Sequence, residues 1–194
     1  MKQLILLISI SIHYLLAAGQ TVNMDVLMGI KSIGSITAEK KITGKTASAW
    51  LRSKVSVRII IKVNVEQTIV SEYKDGKLMK ADVVRTSNIS SENKKSAILW
   101  NGREYIITKD TITVTHKEPV TFCVLDLYFT EPVGITKVFG ETGGTYMPIV
   151  SMGDHRYELH VNESKRDIFL YDKEGKLVQI ETVVAMKKVT FKVK

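Results

Sequence analysis

Apolar and polar residues alternate along most of this chain. Val22, Met24, Val26 and Met28 share one parity, with Asn23 and Asp25 on the other and Leu27 as the exception. A period of two marks a strand with one face buried. Gly29 and Gly34 bracket a turn into a second strand over 33–41, and Thr43-Gly44-Lys45 breaks the chain again. The longest run follows. Val55, Val57, Ile59, Ile61, Val63 and Val65 fall on one face; Ser56, Arg58, Lys62, Asn64 and Glu66 fall on the other, with Ile60 out of pattern. As one strand it would span roughly 40 Å at about 3.3 Å per residue, which is long for a globular strand. A bend or sheet crossover is therefore expected over 58–62. β-Branched residues dominate the run and argue against a helix.

Turn chemistry divides the rest. Asp75-Gly76 and Asn101-Gly102 each stand between alternating segments and suit a two-residue type I′ turn, in which both residues take positive φ. Glu174-Gly175 joins 168–171 to 177–182 in a similar way, and 87–95 is polar enough to be a loop. Beyond the Gly-rich turn at 140–145, strands are expected near 146–150, 157–161, 168–171, 177–184 and 189–193. Residues 120–128 read two ways. Val120, Cys123, Val124 and Leu127 have helical spacing between Pro119 and Pro132, which favours a short helix or helical turn; the run is also apolar enough for a buried strand. The expected fold class is mainly β: an antiparallel curled sheet, half-barrel or barrel, with at most one or two short helices. Curling solves the edge problem that ten or more strands create, and a sandwich is the alternative.

The N-terminus breaks the alternation. Lys2, an apolar run over 4–16 and the small residues Ala17, Ala18 and Gly19 have the three parts of a secretory signal, cut before Gln20. About 13 residues is short of the roughly 20 that a spanning helix needs. The expected organisation is a signal peptide over 1–19 and a single β-rich domain over 20–194, periplasmic or secreted. The chain's only cysteine, Cys123, is far from that junction, so a lipid anchor there is not expected. A lone cysteine makes no internal disulfide, and Cys123 is expected as a buried small hydrophobe.

The formal net charge is +8. The basic residues are scattered, which suits a solubilising surface and protected strand edges and argues against nucleic acid. It leaves room for peripheral contact with an anionic membrane or glycan. His155 and His160 are five apart and so face opposite sides of a strand, and no Cys or His pair has zinc spacing. No metal or other cofactor is expected. Gly140-Glu-Thr-Gly143-Gly144-Thr145 lacks the ending of a phosphate loop and reads as a hairpin tip. Asp154, His155 and Arg156 form the one polar constellation worth weighing. An Asp beside a His is half of a hydrolase triad, but no Gly-x-Ser-x-Gly elbow accompanies it, and a turn in which Asp154 caps the backbone while His155 and Arg156 face water explains the same residues.

Five stretches together resemble a family of uncharacterised exported β-sheet proteins of Bacteroidota, a domain-of-unknown-function family. They are Gly29-Ile30 with Gly34, the 72–78 hairpin, 127–134 with Val138-Phe139, 153–159, and Gly175-Lys176-Leu177. More distantly, the architecture is similar to periplasmic half-barrels that carry lipoproteins. The resemblance implies export and a β fold and no activity. Two functions follow as expectations. The first is binding of a lipid or acyl chain on the concave sheet, which 120–128 can cover, lined by Val57, Ile59, Ile61, Leu125, Phe129 and Phe139; the same residues serve equally well as an ordinary filled core. The second is an envelope module that binds another protein and no small ligand. A hydrolase using Asp154 and His155 is the weakest reading, and the sequence says nothing of oligomeric state.

Overall fold

The computed structural model describes residues 18–58, 61–184 and 186–194. Fourteen strands form one antiparallel sheet among them: β1 (Ala18–Met28), β2 (Lys31–Thr43), β3 (Thr46–Arg58), β4 (Lys62–Lys74), β5 (Lys77–Ser87), β6 (Lys94–Trp100), β7 (Tyr105–Lys109), β8 (Ile112–His116), β9 (Lys137–Gly140), β10 (Thr145–Gly153), β11 (Arg156–His160), β12 (Arg166–Tyr171), β13 (Leu177–Val184) and β14 (Lys187–Val193). The order across the sheet is β8 to β1 in descending sequence, then β14 to β9. Every neighbour is a hairpin partner except the pair β1–β14, where the two halves of the chain meet at mid-sheet. The edges are β8 and β9. The expected curled antiparallel sheet is therefore observed, and it is not closed by backbone pairing. The expected signal peptide falls almost wholly outside the described residues.

Period-two alternation puts Met24 and Val26 of β1, Ile36 and Ala38 of β2, Ala49 and Leu51 of β3 and Ile69 and Tyr73 of β4 on the buried side. Small side chains line up there. Ala49, Ser71 and Ala81 are successive cross-strand partners on β3, β4 and β5, all fully buried. That row leaves room on the concave face. Close backbone approach also matters at Gly34, within β2 rather than at the turn. A Cβ on it would lie 2.1 Å from the Lys54 carbonyl oxygen. Only Gly29-Ile30 forms the turn.

Several local expectations change. The run 55–65 is neither one long strand nor bent: β3 ends at Arg58, β4 begins at Lys62, and the two pair residue for residue from Thr46–Lys74 to Arg58–Lys62. The unbroken parity was two strands folded back on each other. Asp75 and Gly76 do take φ of 51° and 75°, as a type I′ turn requires. Asn101-Gly102 does not. The Asn101 side chain accepts hydrogen bonds from the Arg103 and Glu104 amides, which makes a four-residue loop. Asp172 does the same for Glu174 and Lys176. No α-helix forms over 120–128. Cys123 is extended and bridges Phe139 of β9 in parallel, and the expected helical turn is a 3-10 helix over Val124–Tyr128.

Ring contacts close the gap between the edges. His116 at the end of β8 lies 6.1 Å from Tyr105, 6.0 Å from Phe139 and 5.5 Å from Tyr146, joining β7 to β9 and β10. The β9–β10 tip is buried against the same wall. Ser96 donates to the Glu141 carbonyl, and Gly144 packs on Ile107 so closely that a Cβ there would meet it at 2.4 Å.

Candidate functional site

The segment 117–136, which links the two edge strands, decides what the concave face can do. It runs across that face instead of around it. The Val120 carbonyl accepts from the Leu78 amide of β5, and the Val120 amide donates to Tyr105 Oη of β7. Tyr171 of β12 donates to the Leu127 carbonyl at 2.8 Å. Contacts to both halves of the sheet from one short segment place it inside the curl. Val120, Cys123, Leu125 and Leu127 are fully buried there.

Polar groups pin the segment. Asp126, nearly buried, accepts from Lys40 Nζ at 2.8 Å, from Tyr73 Oη at 3.1 Å and from its neighbour Cys123's amide at 2.9 Å. Lys40 lies on the inward parity of β2 after Ile36 and Ala38, and its ammonium also approaches the faces of Tyr73 and Phe129. From the β9–β10 tip, Glu141 receives the Leu125 amide at 3.1 Å and so caps the 3-10 helix. Burial pushes the Glu141 carboxyl up to about 8, with Asp126 adding to the rise. It is therefore largely protonated at neutral pH. Burial also raises Cys123 well above the usual thiol range, helped by Glu141 and Asp126. That is the reverse of what a nucleophilic cysteine needs.

At the polar end of the curled sheet, Glu131 accepts from Tyr157 Oη at 2.7 Å and meets His155 Nδ1 at 2.9 Å. Burial first, then the hydrogen bond to Glu131, pushes the Tyr157 phenol up to about 12. Asp154 and His155 occupy successive left-handed turn positions, φ 48° and 57°, and both are exposed with Arg156. The carboxylate that orients His155 is thus Glu131 and not Asp154. Among the described residues no Ser or Cys side chain hydrogen-bonds to His155.

Of the six residues expected to line a lipid site, Leu125 and Phe139 share one core cluster with Phe129 packed against it, and Val57 and Ile61 lie outside it. Leu125 and Phe139 are core residues at 0% and 1% exposure. Phe129 is half-buried beside Lys40. Val57 is half-buried near the far end of β3, Ile61 is exposed in the turn that follows, and Ile59 lies outside the described residues. Two clefts of about 330 and 430 Å³ open on the surface, lined by Thr21, Ser35 and Lys194 among others, and by Glu118, Phe122 and Tyr146 among others. Neither includes any of the six. The residues missed were Lys40, Tyr73, Glu131 and Glu141. Only Lys40 carried a readable sign, a charge at an inward strand position.

Similarity to known proteins follows this architecture. A crystal structure of a β-barrel-like protein of the domain of unknown function DUF1849, from Brucella abortus, superposes with a TM-score of 0.59 over 92% of this chain and 96% of that one. At 12% identity it shows the fold alone. No curated protein matches the chain. The strands from β1 onward, with the connector they enclose, are the part that a family covers: over residues 24–194 the chain belongs to DUF6134, a domain of unknown function.

Proposed function

We propose that this chain is an exported binding module of the cell envelope that acts through its outer surface and holds no small ligand in its interior. The observation that carries this reading is the filled concave face. Segment 117–136 places Val120, Cys123, Leu125 and Leu127 where an acyl chain would have to lie. Export rests on the n-region, apolar run and small residues of the first nineteen positions.

Lipid carriage is the second reading, and one observation favours it. The segment is held partly by an ion pair and a buried carboxyl, which could let go more readily than hydrocarbon packing. On that reading 117–136 swings out to admit a lipid. Native mass spectrometry of protein recovered from cells expressing the full sequence separates the two. The surface-acting reading expects the bare polypeptide mass, and a co-purifying lipid adduct overturns it.

A further inference from the structure

Three neighbouring hairpin tips on one rim carry large, exposed apolar side chains. They are Ile30 in the β1–β2 turn, Ile61 in the β3–β4 turn and Met186 in the β13–β14 turn, at 102%, 59% and 97% exposure. In the sheet these hairpins are adjacent, in the order β4-β3-β2-β1-β14-β13. Neighbouring tips are thus two strand spacings apart, about 10 Å. Register makes them level. Met28 pairs with both Lys31 and Val189, Gly34 pairs with Val55, and Arg58 pairs with Lys62. Counting outward from those pairs, the three turns end within about two residues of one another, on the order of 7 Å.

The residues are also wrong for turns. Turns favour Gly, Asn, Asp and Ser. Met186 instead takes φ 62°, a left-handed position that costs a residue with a Cβ, and stays exposed. The other tips on this rim, at 88–93, 110–111, 141–144 and 162–165, carry mostly polar residues and Gly, and so do all tips at the opposite end: Gly44-Lys45, Asp75-Gly76, 101–104, Asp154-His155 and 172–176. The apolar tips are confined to one arc. Basic residues flank each of them: Lys31; Arg58 and Lys62; Lys187 and Lys188. Lys188 pairs with Glu181, whereas no ion pair holds Lys31, Arg58, Lys62 or Lys187 among the described residues.

We propose that these three tips form a membrane-docking rim, inserting Ile30, Ile61 and Met186 into the interface of an anionic bilayer while the flanking Lys and Arg meet lipid phosphates. Isolated apolar side chains at level points, ringed by cations, match a lipid interface with negative headgroups. A protein partner would call for a continuous patch of roughly 800 Å² on this side. The proposal rests on the surface-acting reading and gives it a partner. It also sets the axis of the curled sheet across the membrane plane, with the polar rim and its Glu131–His155 pair pointing away.

The test uses protein recovered from cells expressing the full sequence, with its N-terminus defined by mass. Sedimentation with vesicles of phosphatidylcholine, with and without one quarter phosphatidylglycerol, reads affinity. Binding is expected only with phosphatidylglycerol, weakened by salt, and at least tenfold weaker in the triple variant I30D/I61D/M186D. An environment-sensitive dye on I30C or M186C should shift to the blue on binding, and the same dye on D75C at the other rim should not; buried Cys123 stays unlabelled in the folded protein. The proposal is overturned by equal binding of the triple variant, by no binding to either vesicle, or by a lipid-free dimer that the triple variant abolishes. Failure of the underlying reading would appear separately, as lipid retained in the native mass of protein never exposed to vesicles.

Discussion

Lys40 sits where strand alternation calls for an apolar side chain. It is tolerated because Asp126, 86 residues away in sequence, meets it at 2.8 Å. Removing Asp126 strands three donors at once: Lys40 Nζ, Tyr73 Oη and the Cys123 amide. Breaking a largely buried pair from one side costs far more than the pair contributes. Asp126→Ala should therefore lower stability by about 3 kcal/mol in urea unfolding, and a change below about 1 kcal/mol would show that the segment is held by packing alone. Glu141 makes a prediction of opposite sign to the usual carboxylate. Its folded value of about 8 lies above the ordinary 4.5, so between those pH values the folded state binds the proton and the unfolded state has lost it. The stabilisation is complete below pH 4.5 and disappears as pH rises through about 8. A shift of that size corresponds to on the order of 5 kcal/mol. Glu141→Gln should remove this fall in stability between pH 5 and 8 as measured by thermal unfolding. A wild-type protein no less stable at pH 8 than at pH 5 would contradict the buried, neutral carboxyl.

Elements were legible where one residue's own chemistry fixed them. Asp75-Gly76 reads as a tight turn because both positions need positive φ and both residue types supply it. Asn101-Gly102 carries the same letters, but the Asn101 carboxamide captures two amides downstream and lengthens the loop. The parity of 55–65 runs unbroken through a hairpin, so alternation alone hid the turn. Residues 120–128 were legible in part, since the helical turn forms over 124–128 and the residues before it do not join it. Their apolar spacing reflects burial from several sides inside the curl, not one face of a helix. Gly34 shows what element pairing demands of a single position. Gly34→Ala would push a Cβ to 2.1 Å from the Lys54 carbonyl and force β2 from β3, with a loss of more than about 2 kcal/mol in urea unfolding. Gly143→Ala, whose Cβ would meet only the Thr145 hydroxyl at 3.4 Å, should be nearly neutral. Equal stability of the two variants would mean that the β2–β3 approach is looser than described.

At the scale of the molecule, a β fold with hairpin-linked strands followed from alternation and turns, and the curl followed from the edge problem. The pairing of β1 with β14 did not. It joins residues such as Met24 and Val193 that no local pattern relates. That 120–128 can cover the concave face was legible, but the groups that pin it there were not, because they include partners as distant as Lys40 and Tyr171. The path of 117–136 turns the expected ligand groove into core, and the case for a surface-acting module depends on its permanence. Hydrogen exchange measures this directly. The amides of Val120, Cys123 and Leu125, each bonded within the core, should exchange as slowly as those of the central pair β1–β14, opening only with global unfolding. Exchange of these three orders of magnitude faster than β1–β14 would show that 117–136 opens on its own, and would return the interior to a ligand.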